Sequence, residues 1–287
     1  MKNEIKLGII LMILATLCFG IMDGVSRYLA EEYNVFIINM YRSWVLVLFV
    51  LIYSIKKGGI KHVSSTKKPL IQIIRGILLI SCVCIGVHSF TVLGLVAAHT
   101  IIAIYPLLVL PLSYYFSNEK IGWRRWSAVF IGFFGIMVIL NPISMSFDFN
   151  LIWPLILACL LAIYSILTRN ISAYDNSETS FFWVAIVGGV IMTIIGPFFF
   201  ELLVLKDIPW FLFLCFLSTC GHFLFIKALE TAQASVLQPF IYLQLFFASI
   251  IGILVFNDLL TLNLIFGGIL IIGSGIFALI RTHNAQN

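Results

Sequence analysis

The chain has 287 residues, of which 62% are hydrophobic and 10% charged, and its mean hydropathy is +1.12. Soluble domains carry about 25% charged and 45–50% apolar residues, so this composition excludes a water-soluble globule and requires a polytopic membrane protein. The net charge of +5 sits in short loops, where it sets orientation, and indicates no nucleic-acid partner.

A helix that crosses a bilayer needs about 20 mostly apolar residues. Ten such stretches follow one another: 7–29, 35–55, 70–90, 95–117, 124–141, 150–169, 179–199, 209–228, 234–256 and 262–281. They use nearly the whole chain and leave no soluble domain. Lys2 and Lys6 precede the first stretch, which continues into Met22-Asp23-Gly24 without a small-residue cleavage site. It reads as an uncleaved span. Cys18, Cys82, Cys84, Cys159, Cys215 and Cys220 all lie in apolar segments without metal-ligand spacing and read as small hydrophobes. No metal and no cofactor is expected.

Orientation follows from lysine and arginine. With the N-terminus inside, the inner face collects Lys2, Lys6, Lys56, Lys57, Lys61, Lys67, Lys68, Arg75, Lys120, Arg124, Arg125, Arg169, Lys227 and Arg281, and the outer face only Arg27, Arg42 and Lys206. This bias places both termini in the cytoplasm. Each half has five spans. Five is odd, so the second half enters the membrane upside down relative to the first. The expected organisation is two inverted repeats, 1–145 and 146–287, in an all-α fold of ten transmembrane helices.

The repeat is legible in two stretches. Ala97–Leu140 has two apolar segments around a charged turn, Asn118 to Arg125, with Glu119 as its acid and Gly132 and Gly135 beyond it. Ala232–Leu279 has the same plan around Asn257-Asp258, followed by Gly268, Gly273 and Gly275. Ten spans in two halves, each ending in a span, a turn acid and a glycine-rich span, resemble the drug/metabolite transporter (DMT) superfamily, EamA type. NEKIGWRRWSAVFIGFFGIMVI and FGIMDGVSRYL are the segments most similar to it. Asp258 departs from the glutamate more usual there. The resemblance implies a secondary transporter, for solutes such as amino acids, S-adenosylmethionine-like metabolites or riboflavin-like vitamins.

Several residues are candidates for the solute path. Thr16, Gly20, Asp23 and Arg27 share one helical face, and an Asp in mid-span costs about 2.5–3.5 kcal/mol to insert. Asp23 and Arg42 lie at similar depth across the hairpin of the first two spans. The spacing therefore predicts a buried Asp23–Arg42–Arg27 cluster with a surplus positive charge suited to a carboxylate. Gln238 and Tyr242 share a face beside Pro239, which deletes a backbone N–H. Pro106 and Pro111, with Tyr105 and Tyr114, mark the matching place in the first half. His88 and His222 precede similar segments in the two halves, and Tyr164 and Thr168 face one way on the sixth span. The substrate-binding candidates are thus Asp23, Arg27, Arg42, His88, Tyr105, Tyr164, His222, Gln238 and Tyr242.

No phosphate-binding G-x-x-x-x-G-K-[ST], H-E-x-x-H or G-x-S-x-G motif occurs. The reading is a non-enzymatic transporter of a small amphipathic metabolite, amino-acid-, nucleoside- or vitamin-like, working by alternating access in the bacterial inner membrane. The alternative is a membrane-embedded enzyme using intramembrane His and Asp. Expected partners are the solute, the bilayer, and a proton or counter-solute, with the chain as a monomer or homodimer.

Overall fold

The computed structural model describes residues 2–117, 123–140, 148–231 and 234–284. The turn acid Glu119 and its neighbours lie outside the described residues, as do Gln233 and the C-terminal three residues. Helices follow in the order α1 Lys2–Ala30, α2 Val35–Lys56, the short α3 Ile60–Val63, α4 Pro69–Leu93, α5 Leu95–Ile102, α6 Tyr105–Ser117, α7 Trp123–Leu140, α8 Ile152–Ile171, α9 Ser177–Ile195, α10 Ile208–Thr231, α11 Ala234–Phe256 and α12 Leu262–Asn284. Among the described residues, six helices are long and apolar enough to span a bilayer, and Leu95–Val109, Trp126–Leu140, Phe240–Phe256 and Leu262–Phe277 are shorter apolar segments.

Residues 95–117 form two helices, not the single span expected. The reason is Pro106. It has no N–H and its ring clashes with the carbonyl four residues earlier, so α5 stops at Ile102 and α6 begins at Tyr105. Pro111, by contrast, stays inside α6, and α11 runs unbroken through Pro239. A second interruption precedes α5. Gly94 takes φ +82° between α4 and α5, a conformation glycine adopts without cost.

α1 packs along α10 and α11, α4 along α8 and α9, α2 on α9, and α7 on α12. The last pair is the glycine-rich one. A Cβ added to Gly135 would sit 2.9 Å from the Gly267 carbonyl oxygen, so the two backbones nearly touch. That is close helix contact through small residues. α7 and α12 turn phenylalanines outward, including Phe130, Phe134 and Phe266, as lipid-facing surface requires.

Capping residues fix the loops. Asn34 accepts from Phe36 N at 2.9 Å and Asn176 from Thr179 N at 2.8 Å. At one end of the bundle Tyr33 donates its hydroxyl to Asp207 Oδ2 at 2.9 Å and accepts from Val204 N at 2.9 Å. At the other, Asp175 gathers Thr66 Oγ1, Lys67 N and Gln72 Nε2.

Candidate functional site

One cavity of about 160 Å³ lies where α1, α4, α5, the start of α6, α8, α10 and α11 meet, with Arg42 reaching it from α2. Its walls are mostly apolar and aromatic, among them Phe19, Phe90, Tyr105, Tyr164 and Tyr242. Polar groups enter in two places, and these differ in charge.

The first is acidic. Asp23, on α1, is 4% exposed. Its Oδ2 accepts from Gln244 Nε2 at 2.9 Å and lies 3.1 Å from His99 Nε2. The His99 contact is a close pair, not an aligned hydrogen bond, since Nε2 has no partner in hydrogen-bond geometry. Phe90 stacks on the His99 ring at 4.8 Å with an interplanar angle of 14°. The short α5 delivers His99: Gly94 starts the helix and His99 follows one turn after Leu95.

The second is basic. Arg42, 5% exposed, places Nη2 3.5 Å from His222 Nε2. A guanidinium only donates, so in this contact Nε2 of His222 can serve only as the acceptor. The His222 ring meets Phe19 edge-on at 5.0 Å. Two buried groups of opposite sign therefore share one cavity, each leaning on an imidazole.

The expected Asp23–Arg42–Arg27 cluster does not form as drawn. Among the described residues no Asp23–Arg42 salt bridge occurs. Arg27 turns away from the cavity to Asp258, Nη1 to Oδ1 at 2.6 Å. The physical reason is the turn between α11 and α12, which brings a carboxylate to Arg27 from 231 residues away. With Arg27 neutralised there, the expected surplus positive charge disappears. Asp23 and Arg42 balance each other.

Tyr105, Tyr164, His222 and Tyr242 line the cavity. The Tyr242 hydroxyl is buried without a partner among the described residues, and a Cβ on Gly275 of α12 would collide with it. His88 does not line the cavity among the described residues; it meets Trp153 edge-on at 5.0 Å. Gln238 lies in α11, with its side chain outside the described residues, as is that of Tyr114. Two site residues escaped the sequence reading, His99 and Gln244. His99 stands in the repeat stretch itself, but the spacing match drew attention to His88. Gln244 sits just off the Gln238–Tyr242 stripe, and only the crossing of α1 over α11 turns it to Asp23. Among the described residues no group of three His, Cys, Asp or Glu can hold a metal.

Known proteins agree with this architecture. The EamA-like transporter family matches residues 6–141 and again 149–280. The S-adenosylmethionine uptake transporter of Rickettsia prowazekii is 25% identical over 283 residues, covering 94% of this chain and 91% of the relative. The riboflavin transporter of Vibrio cholerae is 24% identical over 268 residues, covering 89% and 87%. A crystal structure of a protein 11% identical superposes with a TM-score of 0.68 over 98% of this chain and 99% of its own, a likeness of fold alone.

Proposed function

We propose that this chain, which belongs to the EamA-like transporter family, moves a small zwitterionic, ring-bearing metabolite across the bacterial inner membrane by alternating access. It is an integral multi-pass membrane protein and a transporter of small solutes, not an enzyme. The carrying observation is the pair of poles in one apolar cavity. A solute ammonium can replace His99 or Gln244 at Asp23, and a solute carboxylate can take the guanidinium of Arg42. Tyr105, Tyr242 and Phe90 offer faces for a ring between them.

Charge balance favours this class. A cavity holding one carboxylate and one guanidinium accepts a zwitterion without leaving a bare charge in oil, whereas a net anion or cation does not. S-adenosylmethionine has an amino-acid head that matches the two poles, but its sulfonium makes it a net cation, and riboflavin has neither an ammonium nor a carboxylate. The two poles therefore favour a neutral zwitterion with a ring, an amino acid such as tryptophan, over both. The lysine and arginine bias supports cytoplasmic termini. The driving force is a proton or a counter-solute, with the Asp23–His99 pair as the group able to exchange a proton.

Purified protein in liposomes tests this. Uptake of labelled S-adenosylmethionine, riboflavin, tryptophan and methionine is measured, with Asp23→Asn as control. A zwitterion is expected to accumulate and the variant to abolish it. Uptake confined to riboflavin, unaffected by Asp23→Asn, would refute the two-pole reading.

A further inference from the structure

Asp258 is more than the partner of Arg27. Its Oδ2 also accepts from Leu95 N at 2.7 Å and Val96 N at 3.2 Å, the first free N–H groups of α5. Helix starts carry unsatisfied donors and partial positive charge, and a carboxylate answers both. The acid is held for this task. Asn257 takes φ +55°, Asp258 N donates to Gly252 O at 2.9 Å, and Arg27 lies 4.2 Å over the Phe256 ring. Gly94 and Gly252 make room: a Cβ on either would stand 2.7 Å and 2.6 Å from a carboxylate oxygen of Asp258.

The two elements so joined are those that carry the acidic pole. Arg27 is one turn from Asp23 on α1, and Leu95 and Val96 are one turn from His99 on α5. One carboxylate thus pins α1 to α5 immediately beside the Asp23–His99 contact.

We propose that Asp258 is a positioning residue: a clasp that shuts this end of the solute pathway and holds Asp23 against His99, so that opening the end and freeing Asp23 are one event. If α5 swings from α1, the Arg27 bond and the α5 cap break together, and Asp23 loses His99. By linkage, a solute that takes Asp23 from His99 weakens the clasp by the same factor that clasp release favours the solute. The inference rests on the transport reading for what the cavity serves, and on the contacts alone for the closure.

The test is thiol accessibility in intact cells, on a background with all six native cysteines replaced. Ile102→Cys reports the cavity wall, and Leu259→Cys, 81% exposed beside the clasp, shows which face the reagent reaches there. Ile171→Cys, fully buried at the far end of α8, reports global loosening. Applied from the face that labels Leu259→Cys, the impermeant reagent is expected to modify Ile102→Cys about tenfold faster in Asp258→Ala and Arg27→Gln than in the parent. Ile171→Cys stays protected. Unchanged Ile102→Cys labelling in both variants would overturn the clasp. If Asp258→Ala exposes Ile171→Cys, Asp258→Asn decides in its place, because it keeps an acceptor for α5 and loses the charge. Faster labelling without uptake of any zwitterion would sink the solute reading and leave the clasp standing.

Discussion

Two arginines at opposite ends of the bundle are held in opposite ways. Arg27 makes one direct ion pair to Asp258, at 2.6 Å, and is partly exposed. Arg75 is fully buried and, among the described residues, touches no carboxylate. Its Nε donates to Thr168 Oγ1 at 3.0 Å, its Nη1 to Gln72 Oε1, and Nη2 has no partner. Negative charge reaches it at second hand, because Gln72 Nε2 donates to Asp175 Oδ2 at 2.8 Å. The difference separates a latch from a strut. A single pair between α1 and a turn opens by one movement. A network through α4, α8 and two loops opens only if all its members part, and each parting strands a buried polar group. The Arg27 end is therefore built to open and the Arg75 corner to stay.

The largest effect is expected at the strut. Asp175→Ala removes the acceptor for three donors and leaves Arg75 without its remote counter-charge, at a cost of about 3–5 kcal/mol. Thermal unfolding in detergent reads this as a large loss of stability, with solute affinity of the surviving folded protein unchanged. Arg75→Lys comes next. An ammonium cannot reach Thr168 and Gln72 together, so about 2 kcal/mol is lost. Arg27→Lys is milder, about 1 kcal/mol or less, because the contact to Asp258 uses a single nitrogen. Equal losses for the two lysine variants would erase the distinction. Smallest is His88→Phe, which keeps the ring contact with Trp153 and is expected to change stability by under about 0.5 kcal/mol and uptake not at all.

The fold was open to sequence reading because its signals are local. Apolar runs and glycine-rich spans each need only a few residues in view. The broken fourth span was half legible: Pro106 announced it, but Pro111 and Pro239 look the same in sequence and break nothing. The site was legible in part: Asp23, Arg42, Tyr105, Tyr164, His222 and Tyr242 line the cavity, while Arg27 turns away from it and His99 and Gln244 were not anticipated. Asp23 and Arg42 were found through the cost of burying charge. Their partners were not, since His99, Gln244 and Asp258 arrive from α5, α11 and the α11–α12 turn, and helix crossings leave no mark in a single sequence. Arg27 was expected beside Asp23 from their shared helical face, and Arg42 from its depth in the hairpin, because only the first two helices enter those inferences.

Two-pole recognition requires that each pole hold the end of the solute assigned to it. Binding to purified protein in detergent measures this directly, using the zwitterion taken up in liposomes, its N-acetylated form and its methyl ester. Each blocked form is expected to bind wild type about 10–100-fold more weakly, the worth of one charge-assisted hydrogen bond. Asp23→Asn should no longer notice acetylation, and Arg42→Gln should no longer notice esterification. Wild-type protein that binds the blocked forms as well as the parent, or variants that discriminate as wild type does, would contradict the account.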